Sequence, residues 1–320
     1  MNETTDFDVI TVGEPMALFM ARSGGALETV QDFRMTTAGA ELNVAIGLAR
    51  LGLRVCYLSR VGDDVFGRVV LDTLARERVS RAHVAIVANQ STGFMLKSLA
   101  LDGADPEIDY YRRGSAASGL SVADGVPGLC ARARHLHLTG ISPALSDSAR
   151  ELVFHLAREA RAAGRRVSFD PNLRPRLWPS GDAMRACVNE LATLSDLMLP
   201  GLAEGRILTG FETPGDIARF YLDRGARQVV VKLGAAGAYC ASADGGLLVP
   251  AAAVAGIVDT VGAGDGFAAG VISALLEGEP LGAAVVRGNA IGARVIQFPG
   301  DSDGLPTRSQ LGLAERADLA

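Results

Sequence analysis

The residues best suited to chemistry lie in a glycine-rich segment, residues 259–270. A stretch rich in β-forming residues is expected to run into a turn of Gly262, Ala263 and Gly264, and the turn opens an alanine-rich helix. Unpaired amides at a helix N-terminus, together with the helix dipole, favour an anion such as phosphate. Asp265 would lie beside that phosphate, placed to take a proton from an attacking hydroxyl group. An N-capping Asp after a flexible turn would give the same local pattern, so both interpretations stay open.

Two further segments place polar side chains at the start of a helix and at the end of a strand. Asn43 follows Gly39 at the beginning of a predicted helix, where its amide could reach a ligand hydroxyl or bond to the local backbone. Arg174 and Asn172 follow a strand that ends at Asp170. Arg174 could neutralise phosphate charge in transit, whereas a proline-rich turn capped by Asn172 would explain the spacing equally well.

Basic residues occur in two more candidate sites. Tyr110 and Arg112 lie at the end of a predicted hairpin, where an aromatic ring and a guanidinium fork suit a ligand that carries a carboxylate. An exposed strand end with solvated arginines is the alternative. Lys232 ends a predicted strand and is followed by Gly234 and Gly237, a turn that could pass close to a nucleotide or connect a hairpin.

Composition and motifs exclude several classes of protein. The chain has 36 acidic and 31 basic residues, a net charge of -5 and no long basic run, which argues against a nucleic-acid partner. No uncharged apolar stretch approaches the roughly 20 residues that span a bilayer, so no membrane partner is expected. Four widely separated cysteines and an N-terminus without a signal-peptide profile predict a cytoplasmic protein. The chain contains no G-K-[ST] motif and no H-R-D or D-F-G motif, which excludes a Walker A loop and a protein kinase.

Strands and helices alternate over most of the chain, which predicts an α/β fold with a doubly wound, mostly parallel sheet. Ligands bind such sheets beyond the carboxyl ends of the strands. Residues 14–37 and 90–113 break the alternation, and we expect them to form a small β-sheet lid over that crevice, with a hairpin about Asp102 and Gly103. We expect residues 1–320 to form one domain. Strands are predicted at residues 9–12, 55–59, 83–87, 135–139, 166–170, 196–199 and 228–232.

These segments, taken in order, resemble the ribokinase-like (PfkB) family of carbohydrate kinases over residues 8–308. One signature runs from Ala38-Gly39-Ala40-Glu41-Leu42-Asn43 to Gly62, and the other covers residues 259–272 around Gly-Ala-Gly-Asp. The resemblance implies transfer of the γ-phosphate of ATP to a sugar hydroxyl. It also implies a homodimer that pairs through the lids.

The resemblance assigns roles on the nucleotide side of the site. Asp265 would be the general base, and the amides of residues 262–265 would form the anion hole. Mg²⁺ would be held mainly by phosphates and water, with Glu204 supporting it through water. Glu204 matches the acid of an N-x-x-E motif whose Asn is Gly201 here. A monovalent cation such as K⁺ is left open. The nucleotide itself would contact Asn172, Lys232, Gly234, Gly237 and, near the adenine or ribose, Asn289.

Within the family, residues 110–118 and 170–178 resemble segments of kinases that act on 2-keto-3-deoxygluconate. By this resemblance Arg112 and Tyr110 would bind the substrate carboxylate, and Arg174 would contact both the substrate and the moving phosphate. Gly39 and Asn43 would line the substrate site, and Asp301 would hold a hydroxyl.

One departure from these relatives concerns the lid. Phe94 and Met95 stand near the position where many of these kinases carry a tyrosine that faces the substrate. A related substrate is therefore kept as an alternative, as for a 5-dehydro-2-deoxygluconokinase or a fructokinase. A sugar-acid sensor without catalytic activity is a remoter alternative.

Overall fold

The computed structural model describes residues 5–99 and 106–315. Its strands are β1 (Phe7–Val12), β2 (Met16–Ala21), β3 (Phe33–Ala38), β4 (Val55–Gly62), β5 (Ser80–Val87), β6 (Phe94–Lys97), β7 (Ile108–Tyr111), β8 (Ala133–Thr139), β9 (Arg166–Asp170), β10 (Leu197–Met198), β11 (Gln228–Lys232), β12 (Ala238–Ser242) and β13 (Gly245–Val249). Its α-helices are α1 (Ala40–Arg50), α2 (Val65–Arg76), α3 (Ser142–Leu145), α4 (Asp147–Ala162), α5 (Gly181–Ala192), α6 (Leu202–Thr209), α7 (Pro214–Leu222), α8 (Ala263–Leu276) and α9 (Leu281–Val295).

The large sheet confirms the expected α/β fold. Its nine strands stand in the order β13-β12-β11-β10-β9-β8-β1-β4-β5. The strands from β11 to β5 pair in parallel, and β12 and β13 continue the sheet as an antiparallel hairpin. Because parallel strands end on the same side, the segments that follow β1, β8, β9 and β11 meet at one edge of the sheet.

Both faces of this sheet are covered by helices. Neighbouring residues on a strand point to opposite faces. Ile10 and Val12 of β1 accordingly pack with α4, α5 and α7, while Val9 packs on the other face with α1, α8 and α9. Apolar residues on both sides therefore bury the central strands, while the edge strands β5 and β13 are largely exposed.

The second sheet is the expected lid, with strands in the order β3-β2-β6-β7. Strand β6 runs parallel to β2 and antiparallel to β7. The predicted turn about Asp102 and Gly103 lies outside the described residues. Met16, Leu18, Met20 and Met95 form the buried face of the lid.

A contact with the end of α9 sets the backbone before the glycine turn. Residues 250–261, which precede the turn, form no strand in the structure. The amides of Val258 and Asp259 instead donate to the carbonyl of Ile296 at the end of α9, so this backbone follows a helix end rather than a sheet edge. Helix α6 was not predicted from the sequence, because its eight residues are too few to show a clear helical period of apolar residues.

Candidate active site

A cavity of about 520 Å³ lies between the lid and the carboxyl ends of the parallel strands. The segments after β1, β9 and β11 form its floor, the beginnings of α1 and α8 form one wall, and the lid closes the top. The cavity brings together most of the sequence-predicted site residues: Gly39, Asn43, Tyr110, Arg112, Asn172, Arg174, Glu204, Lys232, Gly262, Gly264, Asp265 and Asp301.

Asp265 lies in the first turn of α8 and is buried at the centre of this group. The amide Nδ2 of Asn43 donates to Asp265 Oδ2 at 2.8 Å, and Nδ2 of Asn172 lies 3.5 Å from Oδ1. Burial raises the pKa of Asp265 to about 7; the nearby Asp170 and Asp301 add to the rise, while Asn43 and Arg174 oppose it. A carboxyl group that titrates near neutral pH is well matched to general-base chemistry.

The glycine turn presents backbone amides beside this carboxyl group. The first α-helical hydrogen bond of α8 runs from the Gly266 amide to the Gly262 carbonyl at 2.9 Å, so the amides of residues 262–265 precede it; among these, the Ala263 amide donates to the Thr260 carbonyl at 3.4 Å. Gly262 has a φ of 84°, which favours glycine, and a Cβ there would lie 2.3 Å from the Asp301 carbonyl oxygen. The backbone of Asp301 therefore supports the turn from behind, and a helix start of this kind suits an anion.

Lys232 places a positive charge beside the turn. Its Nζ pairs with Asp170 Oδ2 at 2.6 Å and would lie 3.6 Å from a Cβ on Gly264. Burial alone would lower the pKa of Lys232, but the attraction of Asp170, Glu204 and Asp265 outweighs it and raises the pKa. The ammonium group therefore stays charged, and with the amides it forms a cationic cradle that fits the phosphates of a nucleotide.

The loop after β9 carries Arg174 into the cavity. Asn172 adopts the left-handed conformation with a φ of 40°, and its amide bonds to Asp170 Oδ1 at 3.2 Å. Arg174 Nη1 donates to the carbonyls of Asn172 and Leu173 at 3.3 and 3.0 Å, which fixes the guanidinium. The charge of Arg174 lies near enough to Asp265 to lower the pKa of the Asp265 carboxyl group.

Arg112 approaches the same cavity from the lid, but Glu14 already engages it. Its Nε donates to Glu14 Oε2 at 2.6 Å, and its Nη2 contacts the same oxygen. Ser115 Oγ donates to the other oxygen of Glu14 at 2.5 Å. The Arg112 Cζ atom lies 5.7 Å from the centre of the Tyr110 ring. A ligand carboxylate would therefore meet an arginine whose charge is partly balanced.

A second buried carboxyl group, Glu41, lies in the first turn of α1 and lines the cavity. Its Oε1 accepts hydrogen bonds from Thr139 Oγ1 at 2.6 Å and from Ser142 Oγ at 2.8 Å. Burial raises the pKa of Glu41, and these hydroxyl donors and the charge of Arg112 oppose the rise. The hydroxyls fix the Glu41 side chain beside the lid end of the cavity.

The two lid residues that depart from the relatives point in opposite directions. Met95 is buried and lines the cavity. Phe94 lies on the other face of the lid, where its ring stacks on Tyr111 at 4.7 Å between ring centres. Met95 is therefore the residue of this pair that faces the cavity.

Four predicted residues do not line the cavity: Gly234, Gly237, Ala263 and Asn289. Asn289 Nδ2 donates to the Pro250 carbonyl at 2.9 Å and so supports the backbone after β13. Gly237 is equally structural, because a Cβ there would lie 2.1 Å from the Val249 carbonyl oxygen. Gly234 has open space around its Cα, so its surface can accept a ligand.

Glu204 reaches the cavity, but two backbone amides occupy its carboxylate. Gly201 donates to one oxygen and Leu173 donates to the other, each at 2.7 Å. Among residues 5–99 and 106–315, no group of three His, Cys, Asp or Glu side chains is placed to hold a metal ion. This donor set suits a Mg²⁺ ion held by phosphates and water, with Glu204 contacting it through water.

Sequence reasoning missed four acids around this site: Glu14, Glu41, Asp170 and Asp259. Glu14 and Asp170 follow or end parallel strands, and that position alone could have singled them out. Glu41 lies within the first signature, two residues before Asn43. Asp259 bonds to Lys97, and nothing local in the sequence signals that pairing.

The chain belongs to the pfkB family of carbohydrate kinases, whose family model matches residues 6–308. It is 48% identical over 305 residues to the 2-dehydro-3-deoxygluconokinase of Bacillus subtilis (strain 168), an alignment that covers 95% of this chain and 94% of the relative.

Solved structures show the same fold. A crystal structure of a PfkB protein from Polaromonas sp. JS666 matches with a TM-score of 0.89 and 50% identity, covering 96% of this chain and 100% of that one. A putative ribokinase II from E. coli in complex with ATP and Mg²⁺ matches with a TM-score of 0.86 and 25% identity, covering 96% and 98%. None of the helices in the described residues has the length and hydropathy that a bilayer crossing requires.

Proposed function

We propose that this kinase transfers the γ-phosphate of ATP to 2-keto-3-deoxy-D-gluconate, also called 2-dehydro-3-deoxygluconate, and forms 2-keto-3-deoxy-6-phosphogluconate. The observation that carries the proposal is the buried Asp265 carboxyl group, with a pKa of about 7, at the glycine turn of a lidded cavity. The name of the Bacillus subtilis relative supports the choice of substrate.

The proposed reaction divides the work among this chain's own residues. Asp265 takes the proton of the substrate hydroxyl while the oxygen forms its bond to the γ-phosphorus. The bond from that phosphorus to the β–γ bridging oxygen breaks, and ADP leaves. The amides of residues 262–265 and the Lys232 ammonium stabilise the charge on the transferring group. Arg174 lines the same cavity as Asp265 and would contact both the substrate and the moving phosphoryl group.

Mg²⁺ and ATP are the proposed cofactors. The cationic cradle of Lys232 and the turn amides fits the phosphates of ATP. The metal ion would supply charge neutralisation between the phosphates, with Glu204 contacting it through water. Gly234 provides open surface for the nucleotide. A monovalent cation such as K⁺ would be a third cofactor. Asp259 and Asp301 are acids that could hold one, and both are engaged by the ammonium of Lys97.

The lid end of the cavity would select an acid. Arg112 has Nε and Nη2 on Glu14, which leaves Nη1 for a substrate carboxylate. Arg174 lines the same cavity and offers a second guanidinium. Tyr110, Asn43 and Gly39 line the same space, so the substrate hydroxyls would meet polar groups and backbone. Asp301 would accept from one of these hydroxyls.

A substrate panel tests the assignment. Purified protein with ATP and Mg²⁺ should turn over 2-keto-3-deoxygluconate with a higher kcat/KM than 5-dehydro-2-deoxygluconate, fructose, ribose or adenosine. ³¹P NMR of the product should show a phosphate ester at the 6-hydroxyl. Preference for 5-dehydro-2-deoxygluconate or fructose would favour the alternative kinases of the same fold. Tight binding of the acid without ADP formation would favour the sensor, although a sensor has no use for Asp265.

We also propose a homodimer that pairs through the lids. The outer face of the lid carries a cluster of rings, Phe19, Phe94 and Tyr111, joined by Phe66 of α2. Tyr111 is 50% exposed, which leaves apolar surface for a second copy to cover. Sedimentation should give twice the chain mass of 33.3 kDa. Tyr111→Asp should shift it to the monomer, and a monomeric wild type would contradict the proposal.

The cytoplasm is the proposed location. The four cysteines are free thiols, three of them buried, as is typical of proteins in a reducing compartment. Cell fractionation with a tagged chain would test this, and recovery from an extracellular or membrane fraction would contradict it.

A further inference from the structure

Lys97 is a buried lysine at the end of lid strand β6. Its side chain is only 2% exposed, and its Nζ lies 2.5 Å from Asp259 Oδ2 and 2.7 Å from Asp301 Oδ1. A lysine is rarely buried to this extent unless it is paired. The chain has two lysines among its 31 basic residues: Lys232 lines the cavity, and Lys97 pairs with Asp301, which also lines it.

The two partners of Lys97 belong to the loops that shape the glycine turn. Asp259 Oδ1 accepts from the Val261 amide at 2.9 Å, which fixes the chain just before the turn. The Asp301 carbonyl oxygen faces Gly262 so closely that a Cβ there would lie 2.3 Å away. One ammonium group therefore joins both loops behind the turn to the lid above it.

Charge balance makes the ammonium necessary. Asp259 and Asp301 are both buried, and two buried carboxylates destabilise each other unless a cation lies between them. Burial raises the pKa of Asp301, and Lys97 opposes that rise. Burial would lower the pKa of Lys97, but the attraction of Asp301 and Asp259 raises it, so the ammonium stays charged.

We propose that Lys97 is a positioning residue that acts as a built-in cation. It seats the lid on the phosphate turn and occupies the place at which a free monovalent cation would balance Asp259 and Asp301. The rate of the wild-type protein should therefore be the same in K⁺ as in a large organic cation. This inference rests on the proposed kinase function.

The lid provides a matched control. Arg34 of β3 pairs with Asp303, its Nη1 lying 2.7 Å from Asp303 Oδ2, and so joins the lid to the same loop. The Arg34 side chain is 48% exposed, and surface ion pairs contribute little. Arg34→Ala removes a lid contact of the same charge type without emptying a buried site.

The experiment measures kcat, the KM for each substrate and Tm for the wild type, Lys97→Ala and Arg34→Ala. Each protein is assayed with Mg-ATP in the chlorides of K⁺, NH₄⁺ and tetramethylammonium at one ionic strength. We expect the wild type and Arg34→Ala to vary by less than about twofold between cations. In tetramethylammonium, the kcat of Lys97→Ala should be about 100-fold lower than that of the wild type, which is the scale of one lost electrostatic contact. In NH₄⁺ or K⁺, the kcat of this variant should recover at least about tenfold. Its Tm should rise with the same cations.

Several results would overturn the proposal. A wild type stimulated several-fold by K⁺ would show that a free cation acts, and a Lys97→Ala protein of normal rate would show that the ammonium is dispensable. A loss that no cation restores would reduce Lys97 to a packing role. If Lys97→Ala does not fold, Lys97→Met with Asp259→Asn removes one charge of each sign. That double variant should fold and lose at least about tenfold in kcat, and a normal rate would contradict the proposal.

The Tm measurements separate this proposal from the proposed function. A wild type that phosphorylates no sugar or sugar acid refutes the function. A cation-dependent Tm in Lys97→Ala alone would still support the built-in cation, and equal responses in all three proteins would refute it.

Discussion

The cavity has a phosphate side and a lid side, and they are constructed in different ways. On the phosphate side, the glycine turn and Asp265 come from one short segment at the start of α8, with the Asp301 backbone packed behind the turn. On the lid side, Arg112 depends on an ion pair with Glu14 that joins the lid to the body of the protein. Lys97 joins the two sides, because its partners Asp259 and Asp301 shape the turn. We infer that chemistry depends on the first side and substrate choice on the second.

The largest expected effect falls on the phosphate side. Asp265→Asn should lower kcat by about 10³–10⁴-fold, because it removes the general base and preserves the shape of the side chain. ATP affinity, measured by calorimetry, should change little. Asp63→Asn, at an exposed acid, is the matched control and should leave kcat unchanged. A near-normal rate for Asp265→Asn would remove Asp265 from the mechanism.

Lys232 should give the next largest effect. Lys232→Met removes the ammonium beside Gly264. This change should lower kcat about 100-fold, since the ammonium stabilises charge on the transferring group. Because that change leaves Asp170 buried without its partner, Lys232→Met combined with Asp170→Asn is the control for lost stability. Steady-state kinetics of both variants should show the same loss. If the double variant had a normal kcat, the loss in Lys232→Met would be due to the unpaired Asp170 carboxylate instead.

A different kinetic signature is expected on the lid side. Arg112→Met should raise the KM for 2-keto-3-deoxygluconate by about 10–100-fold and change kcat less, because a charge-assisted hydrogen bond to the substrate is lost. Arg113→Met, at the exposed neighbouring arginine, is the control and should keep the wild-type KM. Equal losses in kcat and kcat/KM would contradict the division between the two sides.

The smallest effect concerns stability. The pKa of Asp265 is raised to about 7 in the folded chain from 3.8, so the folded state holds this proton more tightly than the unfolded state. Stability must then fall as the pH rises from about 4 to 7, and the penalty is complete above that range. Asp265→Asn should therefore raise Tm at pH 8 by a few degrees, on the order of 5 °C, and leave Tm at pH 4 unchanged. Scanning fluorimetry of this variant and Asp63→Asn checks the prediction, and an equal shift at both pH values would contradict it.

Local and distant contacts differ in how far the sequence could predict them. Strands, helices and the glycine turn depend on neighbouring residues, so the sheet, the lid and the position of Asp265 followed from local patterns. The pairing of Arg112 with Glu14 joins residues 98 positions apart, and that of Lys97 with Asp301 joins residues 204 apart. No local pattern records such contacts. The sequence analysis therefore treated Arg112 as a free guanidinium and assigned Asp301 to the substrate alone.

The backbone conformation of residues 250–261 likewise could not be predicted from local sequence. Their β-forming side chains favour a strand, yet Val254, Ile257 and Val258 are exposed. The amides of Val258 and Asp259 bond to Ile296, so a tertiary contact decides the conformation of this segment.

The pH dependence of kcat/KM for 2-keto-3-deoxygluconate in the wild-type protein tests the central claim most directly. Because Asp265 must be ionised to accept the proton and burial raises its pKa to about 7, kcat/KM should fall about tenfold for each pH unit below 7. A profile that stays flat down to about pH 5 would contradict the assignment of Asp265 as the buried general base.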